Sequence, residues 1–184
     1  EEAFLSNVVG EPTPSMLEQI NKLSKRPLSK EEVFVFPGKL IGNGLITSRF
    51  QRVAPELLRV FGENANAGVS LLIDHSWANL GTYTVPYGRT FGAAVRKSVG
   101  GEAVGESEAL YAYHYIIRGM TAFGLSTDDL IKGIESGVMF DTSIGFRGRP
   151  MCSICNTAIW ECAHIPGKTY DGKTCEIHWH SPGK

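Results

Sequence analysis

Glu108-Ala109-Leu110-Tyr111-Ala112-Tyr113-His114-Tyr115-Ile116-Ile117 is the stretch on which the fold turns. From Ala109 to Ile117 it is apolar, aromatic and β-branched, the composition of a strand rather than a helix. A strand sends successive side chains to opposite faces. Tyr111, Tyr113 and Tyr115 therefore share one face, and Leu110, Ala112, His114 and Ile116 share the other. Working outward, Phe91–Lys97 is a partner strand, joined to the first by the Gly-rich, acidic stretch 100–108. Glu32–Phe36 is a third strand, which Pro37-Gly38 should end, and Leu40–Thr47 is a further short apolar stretch broken by Gly42-Asn43-Gly44. Val69–His75 reads as a buried strand with polar residues at its end. Val138–Phe146 reads as another, with Val138, Phe140, Thr142, Ile144 and Phe146 on its core face.

Three helices separate these strands. Ser15-Met16-Leu17-Glu18 has the form of a capping box, followed by Met16, Ile20 and Leu23 at helical spacing, with Pro27 as the stop. Pro55 suits the first position of a second helix, with Leu57, Leu58 and Phe61 on its buried side and Gly62 at its end. Ser126-Thr127-Asp128-Asp129 opens a third, because hydroxyl and carboxylate groups suit the N-terminal dipole; Leu130, Ile131 and Ile134 face inward and Gly137 suits the C-terminal cap. The expected fold is mainly β (α+β): an antiparallel β-barrel flanked by short helices, with a small Cys-rich zinc-binding segment at the C-terminus. The expected division is 1–150 for the barrel and 151–184 for the Cys-rich module.

Composition narrows the function classes. The chain has 184 residues, 42% hydrophobic and 20% charged, enough apolar material for a packed core. Its net charge of −1 gives no broad basic surface for duplex DNA. Lys168 and Lys173, with Trp160, Tyr170 and Trp179, are offset by Glu161, Asp171 and Glu176, so nucleic acid is not an expected partner. No apolar run reaches the length of a membrane span, and Glu1-Glu2-Ala3-Phe4 is no secretion signal. The chain does not open on Met, which fits processing or trimming.

All four cysteines fall between Cys152 and Cys175. A disulfide-stapled secreted domain would spread them, so the clustering points to a local metal site in a reducing compartment. Cys152-Ser153-Ile154-Cys155 is a C-x₂-C pair, which can bring two thiolates to one ion through a tight turn. Cys162-Ala163-His164 adds a sulfur and an imidazole, and Cys175 follows two turn signals, Pro166-Gly167 and Asp171-Gly172. Zinc takes four ligands. Cys152, Cys155, Cys162, His164 and Cys175 offer five, which leaves His164 and Cys175 as alternatives for the fourth. The expected role is structural.

Two further motifs concern catalysis. A serine becomes a nucleophile when a base takes its proton, and histidine is the usual base. Ser143 lies on the small, polar face of the stretch 138–147, and His75 ends an apolar strand. Val69-Ser70-Leu71-Leu72-Ile73-Asp74-His75-Ser76, followed by Gly81, resembles the catalytic-histidine segment of the tailed-phage prohead (capsid maturation) serine proteases, a family related to the herpesvirus assembly proteases. Ile134-Glu135-Ser136-Gly137-Val138 through Thr142-Ser143-Ile144-Gly145-Phe146-Arg147 resembles the second signature of that family, a helix end, a glycine and a nucleophile strand of the Ser-Ile-Gly-Phe type. The resemblance covers 33–147. It implies a serine endopeptidase that cuts scaffold and major capsid protein extensions, with Ser143 as nucleophile, His75 as general base and no cofactor for catalysis.

The resemblance also implies a homo-oligomer working inside an assembling procapsid, in the cytoplasm of the host cell. Arg147 and Arg149 would be available to hold negative charge or would be plain solvated loop charges. The third catalytic member stays open among Glu161, Glu176, His114, His178 and His180, or lies beyond Lys184. His114 by its alternation reads as a satisfied, semi-buried residue. The alternative to the protease is an inactive phage structural or assembly module with the same barrel and a structural zinc site.

Overall fold

A computed structural model describes residues 8–72, 86–98, 103–122, 124–139 and 144–182. In chain order the helices are α1 (Pro14–Leu23), α2 (Pro55–Asn66) and α3 (Thr127–Glu135). The strands are β1 (Val33–Gly42), β2 (Gln51–Val53), β3 (Ser70–Leu71), β4 (Gly88–Lys97), β5 (Glu108–Ile117), β6 (Thr121–Ala122), β7 (Leu125–Ser126), β8 (Arg149–Cys152), β9 (Thr169–Tyr170), β10 (Lys173–Thr174) and β11 (Ile177–His180). The main sheet has the order β1-β5-β4-β3. It is antiparallel: Asn43 N–H donates to the Glu108 carbonyl at one end of β1, and Glu32 at the other end accepts from Arg118. The expected barrel is thus present as a curled half-barrel sheet, with β1 and β3 at its edges among the described residues.

The chain divides into two compact units. The first holds Glu1–Gly38, Glu63–Ala93 and Tyr111–Ser143; the second holds Lys39–Gly62, Ala94–Leu110 and Ile144–Lys184. In the first, the sheet is covered on both faces. Met16 and Ile20 of α1 pack with Val33, Val35, Phe91, Tyr113 and Tyr115. Ile131 of α3 packs on the opposite face with Phe34, Phe36 and Ile116. The pleat of β1 and β5 sorts these side chains as the alternation requires, and burial on both sides explains why the strands are apolar almost throughout.

Several boundaries differ from the expectation, each for a physical reason. Helix α1 is capped by Thr13, whose hydroxyl accepts from Met16 N–H, and not by Ser15; Pro14 at the first helical position sets the start. Strand β1 continues through Pro37-Gly38 to Gly42. The amide and carbonyl of Val35 both bond to Gly10 on the outer edge, so the position two residues on, Pro37, also turns its missing N–H away from β5. Proline is tolerated in an edge strand with that orientation. Helix α2 starts at Pro55 as expected but runs past Gly62 to Asn66, where the buried Ala65 continues at helical spacing the apolar stripe begun by Leu57 and Leu58.

The stretch Val69–His75 is not a buried strand where it is described. Only Ser70–Leu71 is strand, at a sheet edge, and Val69 and Leu72 are exposed. Nor are the described flanks of Val138–Phe146 strand. Val138 and Met139 form a bend and 144–148 is irregular. Val138 is 76% exposed, so it is not a core residue. Helix α3 does end as anticipated, with Ser126 as cap, accepting from the Asp128 and Asp129 amides, and Gly137 in the left-handed region at φ 72°.

The second unit is built on a three-stranded sheet of order β2-β11-β8, in which β11 runs parallel to β2 and antiparallel to β8. Ile177 lies opposite both Gln51 and Cys152. Phe146 bridges Phe61 and Trp179 with ring centroids 5.2 and 5.5 Å apart. The Arg52 guanidinium grips the Glu176 carboxylate through two bonds, at 2.7 and 3.3 Å.

Candidate metal centre

Strand β8 delivers Cys152 into the interior, and the chain turns immediately through Ser153–Cys155. Asn156, in the left-handed conformation at φ 55°, completes the turn, and its N–H bonds back to the Cys152 carbonyl. A short 3₁₀ turn at Ile159–Glu161 then brings Cys162 and His164 back to the same place. The Sγ atoms of Cys152, Cys155 and Cys162 and a ring nitrogen of His164 all lie within 4.8 Å of one another. The closest approaches are Cys162 Sγ to His164 Nδ1 at 3.2 Å, Cys155 Sγ to Cys162 Sγ at 3.3 Å, and Cys152 Sγ to His164 Nδ1 at 3.6 Å. These four residues could hold a metal ion. Cys175 Sγ lies 3.7 Å from Cys152 Sγ, so the sequence-predicted fifth donor is also at the cluster. All four cysteines are free thiols.

The surroundings suit thiolates. Ile154 N–H donates to Cys152 Sγ at 3.4 Å, and His164 N–H donates to Cys162 Sγ at 3.2 Å. Cys155 Sγ lies 3.0 Å from the Thr157 hydroxyl. The hydroxyl and amide of Thr157 draw the Cys155 thiol down to about 6. Burial pushes Cys152 up, but the Cys155 and Ile154 amides outweigh it and leave that thiol below its usual range. Desolvation raises Cys162 and Cys175. His164 is raised, chiefly by its bond to Cys155. Its ring also meets Tyr170 edge-on at 4.6 Å, and the Tyr170 hydroxyl accepts from Ile165 N–H. Sequence reading missed Thr157 and Tyr170. The two amide donors were implicit in the motifs, since each is the second residue after a cysteine.

The chemistry of the donor set fits a soft or borderline divalent ion, zinc among them. Three thiols and an imidazole, ringed by their own backbone donors, make a compact all-protein set.

The residues expected to carry catalysis stand differently. His75 and Ser143 lie outside the described residues. Among the candidates for a third member, Glu176 is tied to Arg52 and to His178, which lies 3.1 Å away, and the Arg52 and His178 bonds hold its carboxyl low against the opposing effect of burial. His180 bonds Glu56. Glu161, Arg147 and Arg149 are exposed. His114 departs from its reading as a satisfied, semi-buried residue. It is 2% exposed, stacks on Phe36 at 4.8 Å, and its Nδ1 has no hydrogen-bond partner. Gly38 permits this packing, because a Cβ there would sit 3.0 Å from the imidazole Cε1. Burial pushes the His114 imidazole down to about 4.

None of the described helices is long and apolar enough to cross a membrane. Comparison with protein-family models, with curated proteins and with solved structures gives no match.

Proposed function

We propose that this chain is a serine endopeptidase of phage head maturation, with Ser143 as nucleophile and His75 as general base. Its substrates would be scaffold and capsid-protein extensions, met as a homo-oligomer within the procapsid. The reading rests on the two sequence motifs in the order histidine, then serine. The observation that carries it beyond sequence is helix α3, capped by Ser126 and closed by Gly137, standing directly before the Ser-Ile-Gly-Phe segment as the family signature implies. In the reaction Ser143 Oγ attacks the peptide carbonyl, and His75 takes its proton and returns it to the leaving amine. Backbone N–H donors would stabilise the oxyanion, each worth roughly 3–4 kcal/mol.

The cysteine cluster supplies a separate, structural element, and zinc is the ion we assign to it. It is structural because the donor set is complete without water. Its task is to fold a segment with little apolar material of its own.

A fluorophosphonate probe tests the catalytic reading. The wild-type chain should label at Ser143, Ser143→Ala should lose the label, and His75→Ala should label far more slowly. No labelling of the wild type, or labelling that survives Ser143→Ala, would favour the inactive assembly module. Bulk metal analysis with thiol titration tests the zinc: one equivalent of zinc and protected thiols are expected, and four freely reactive thiols without metal would refute it.

A further inference from the structure

The cluster holds five donors for an ion that takes four. We infer that the metal is held by three sulfurs and one nitrogen, from Cys152, Cys155, Cys162 and His164 Nδ1, and that Cys175 stands outside as a buried thiol bonded to the ligand Cys152. This inference rests on the metal reading above.

Position supports it first. The compact group within 4.8 Å is formed by the sulfurs of Cys152, Cys155 and Cys162 with His164, whereas Cys175 lies outside that group and approaches it through Cys152, at 3.7 Å. Nδ1 of His164 faces two sulfurs, Cys162 at 3.2 Å and Cys152 at 3.6 Å, which is where a metal-binding lone pair belongs.

Hydrogen bonding supports it second. A metal-bound thiolate is stabilised by nearby N–H and O–H donors. Cys152 has the Ile154 amide, Cys162 has the His164 amide and Cys155 has the Thr157 hydroxyl. Cys175 Sγ instead points as a donor at the Glu176 carbonyl, 4.0 Å away. A carbonyl oxygen beside the sulfur offers none of the support that an N–H or O–H donor gives a metal-bound thiolate. Charge supports it third. A divalent ion with three thiolates and a neutral imidazole carries −1, and with four thiolates −2. Burying the smaller charge costs less where Cys152 and Cys175 are closed to solvent.

The role assigned to Cys175 is to position Cys152. Its own place is fixed by main-chain bonds, from Cys175 N–H to the Lys168 carbonyl and from Gly167 N–H to the Cys175 carbonyl.

X-ray absorption at the zinc edge of the wild-type protein tests the assignment without any substitution. Three sulfurs at about 2.3 Å and one nitrogen at about 2.0 Å are expected. Four sulfurs and no nitrogen would overturn it, whereas a wild-type protein that binds no metal would defeat the underlying metal reading instead. Chelator competition adds a second measure. Cys175→Ala should retain one equivalent of zinc with affinity reduced by no more than ~10–100-fold, the range for a group behind a ligand. His164→Ala should lose more than Cys175→Ala does. The reverse order would overturn the assignment.

Discussion

Strand β5 and the segment from Arg149 to His180 are both β-structure held by different forces. Every residue of β5 from Ala109 to Ile116 is buried, and its neighbours include Phe34, Phe36, Phe91 and Val35. The later segment fully buries only Pro150, Cys152, Ala158 and Cys175. Two of those are sulfurs of the cluster. Its exposed residues include Trp160, at 68%, and Ile165, so its apolar side chains are not gathered into a core. A sheet with apolar residues on both faces is stabilised by burial alone, whereas a short, loop-rich segment needs a cross-link.

The sharpest way to break this contrast is to remove the metal. Chelation of the zinc-loaded protein should abolish hydrogen-exchange protection over Arg149–Cys152 and Ile177–His180 while Tyr111–Ile116 stays protected. The loss should spread to Gln51–Val53, because β2 draws its ladder from β11. Structural zinc contributes an apparent ~10–16 kcal/mol in small zinc-dependent folds, so the effect is large. Unchanged protection across 149–180 in demonstrably metal-free protein would mean that the apolar contacts of Phe61, Phe146 and Trp179 suffice.

The converse experiment attacks the apolar side. Phe34 is fully buried between strands and α3. Phe34→Ala should cost about 3–5 kcal/mol in urea unfolding, through lost burial and the cavity left behind. Zinc stoichiometry in the folded variant should remain one. A variant that loses its zinc while still folded would show that the two regions depend on each other more than their separate sources of stability suggest.

The parts legible in the sequence follow the same division. β5 was readable to within one residue, because an apolar run bounded by polar turns has few alternatives, whereas β4 ends at Lys97 as expected but begins three residues earlier, at Gly88. The cysteine motifs were readable because short spacing alone forces Cys152 near Cys155 and Cys162 near His164. Cys175 was readable only as one of five possible donors; its place beside Cys152 in particular follows from the register that sets Ile177 opposite Cys152, a pairing between distant segments. The continuation of β1 through Pro37 was hidden for a related reason. It depends on which edge of the strand is free, and that is decided by tertiary structure. Around Val138 the alternation of large and small residues suggested a strand, yet among the described residues that side chain is left 76% exposed.

His114 gives the most delicate probe, because its histidine sits inside the apolar region and not at the metal. With Nδ1 unpartnered and the ring stacked on Phe36, the neutral form is the one the fold accepts. Its folded value of about 4 lies below the ordinary 6.5, so the unfolded chain takes up the proton first as pH falls. The stability that the neutral imidazole secures is complete above pH 6.5. It is lost progressively as pH drops from 6.5 through about 4, for a total on the order of 3 kcal/mol. Carboxylates titrate in the same window, so the measurement is a difference. Urea unfolding of wild type and His114→Leu should be compared at pH 7.5 and 4.5. The variant removes the unpartnered nitrogen but also the imidazole's bond to the Phe36 main chain, so its stability at pH 7.5 should stay within about 1–2 kcal/mol of wild type. Its loss between the two pH values should be smaller by about 2–3 kcal/mol. Equal losses would mean that the imidazole finds a partner or water when protonated, and that the apolar face around Phe36 is less closed than its packing indicates.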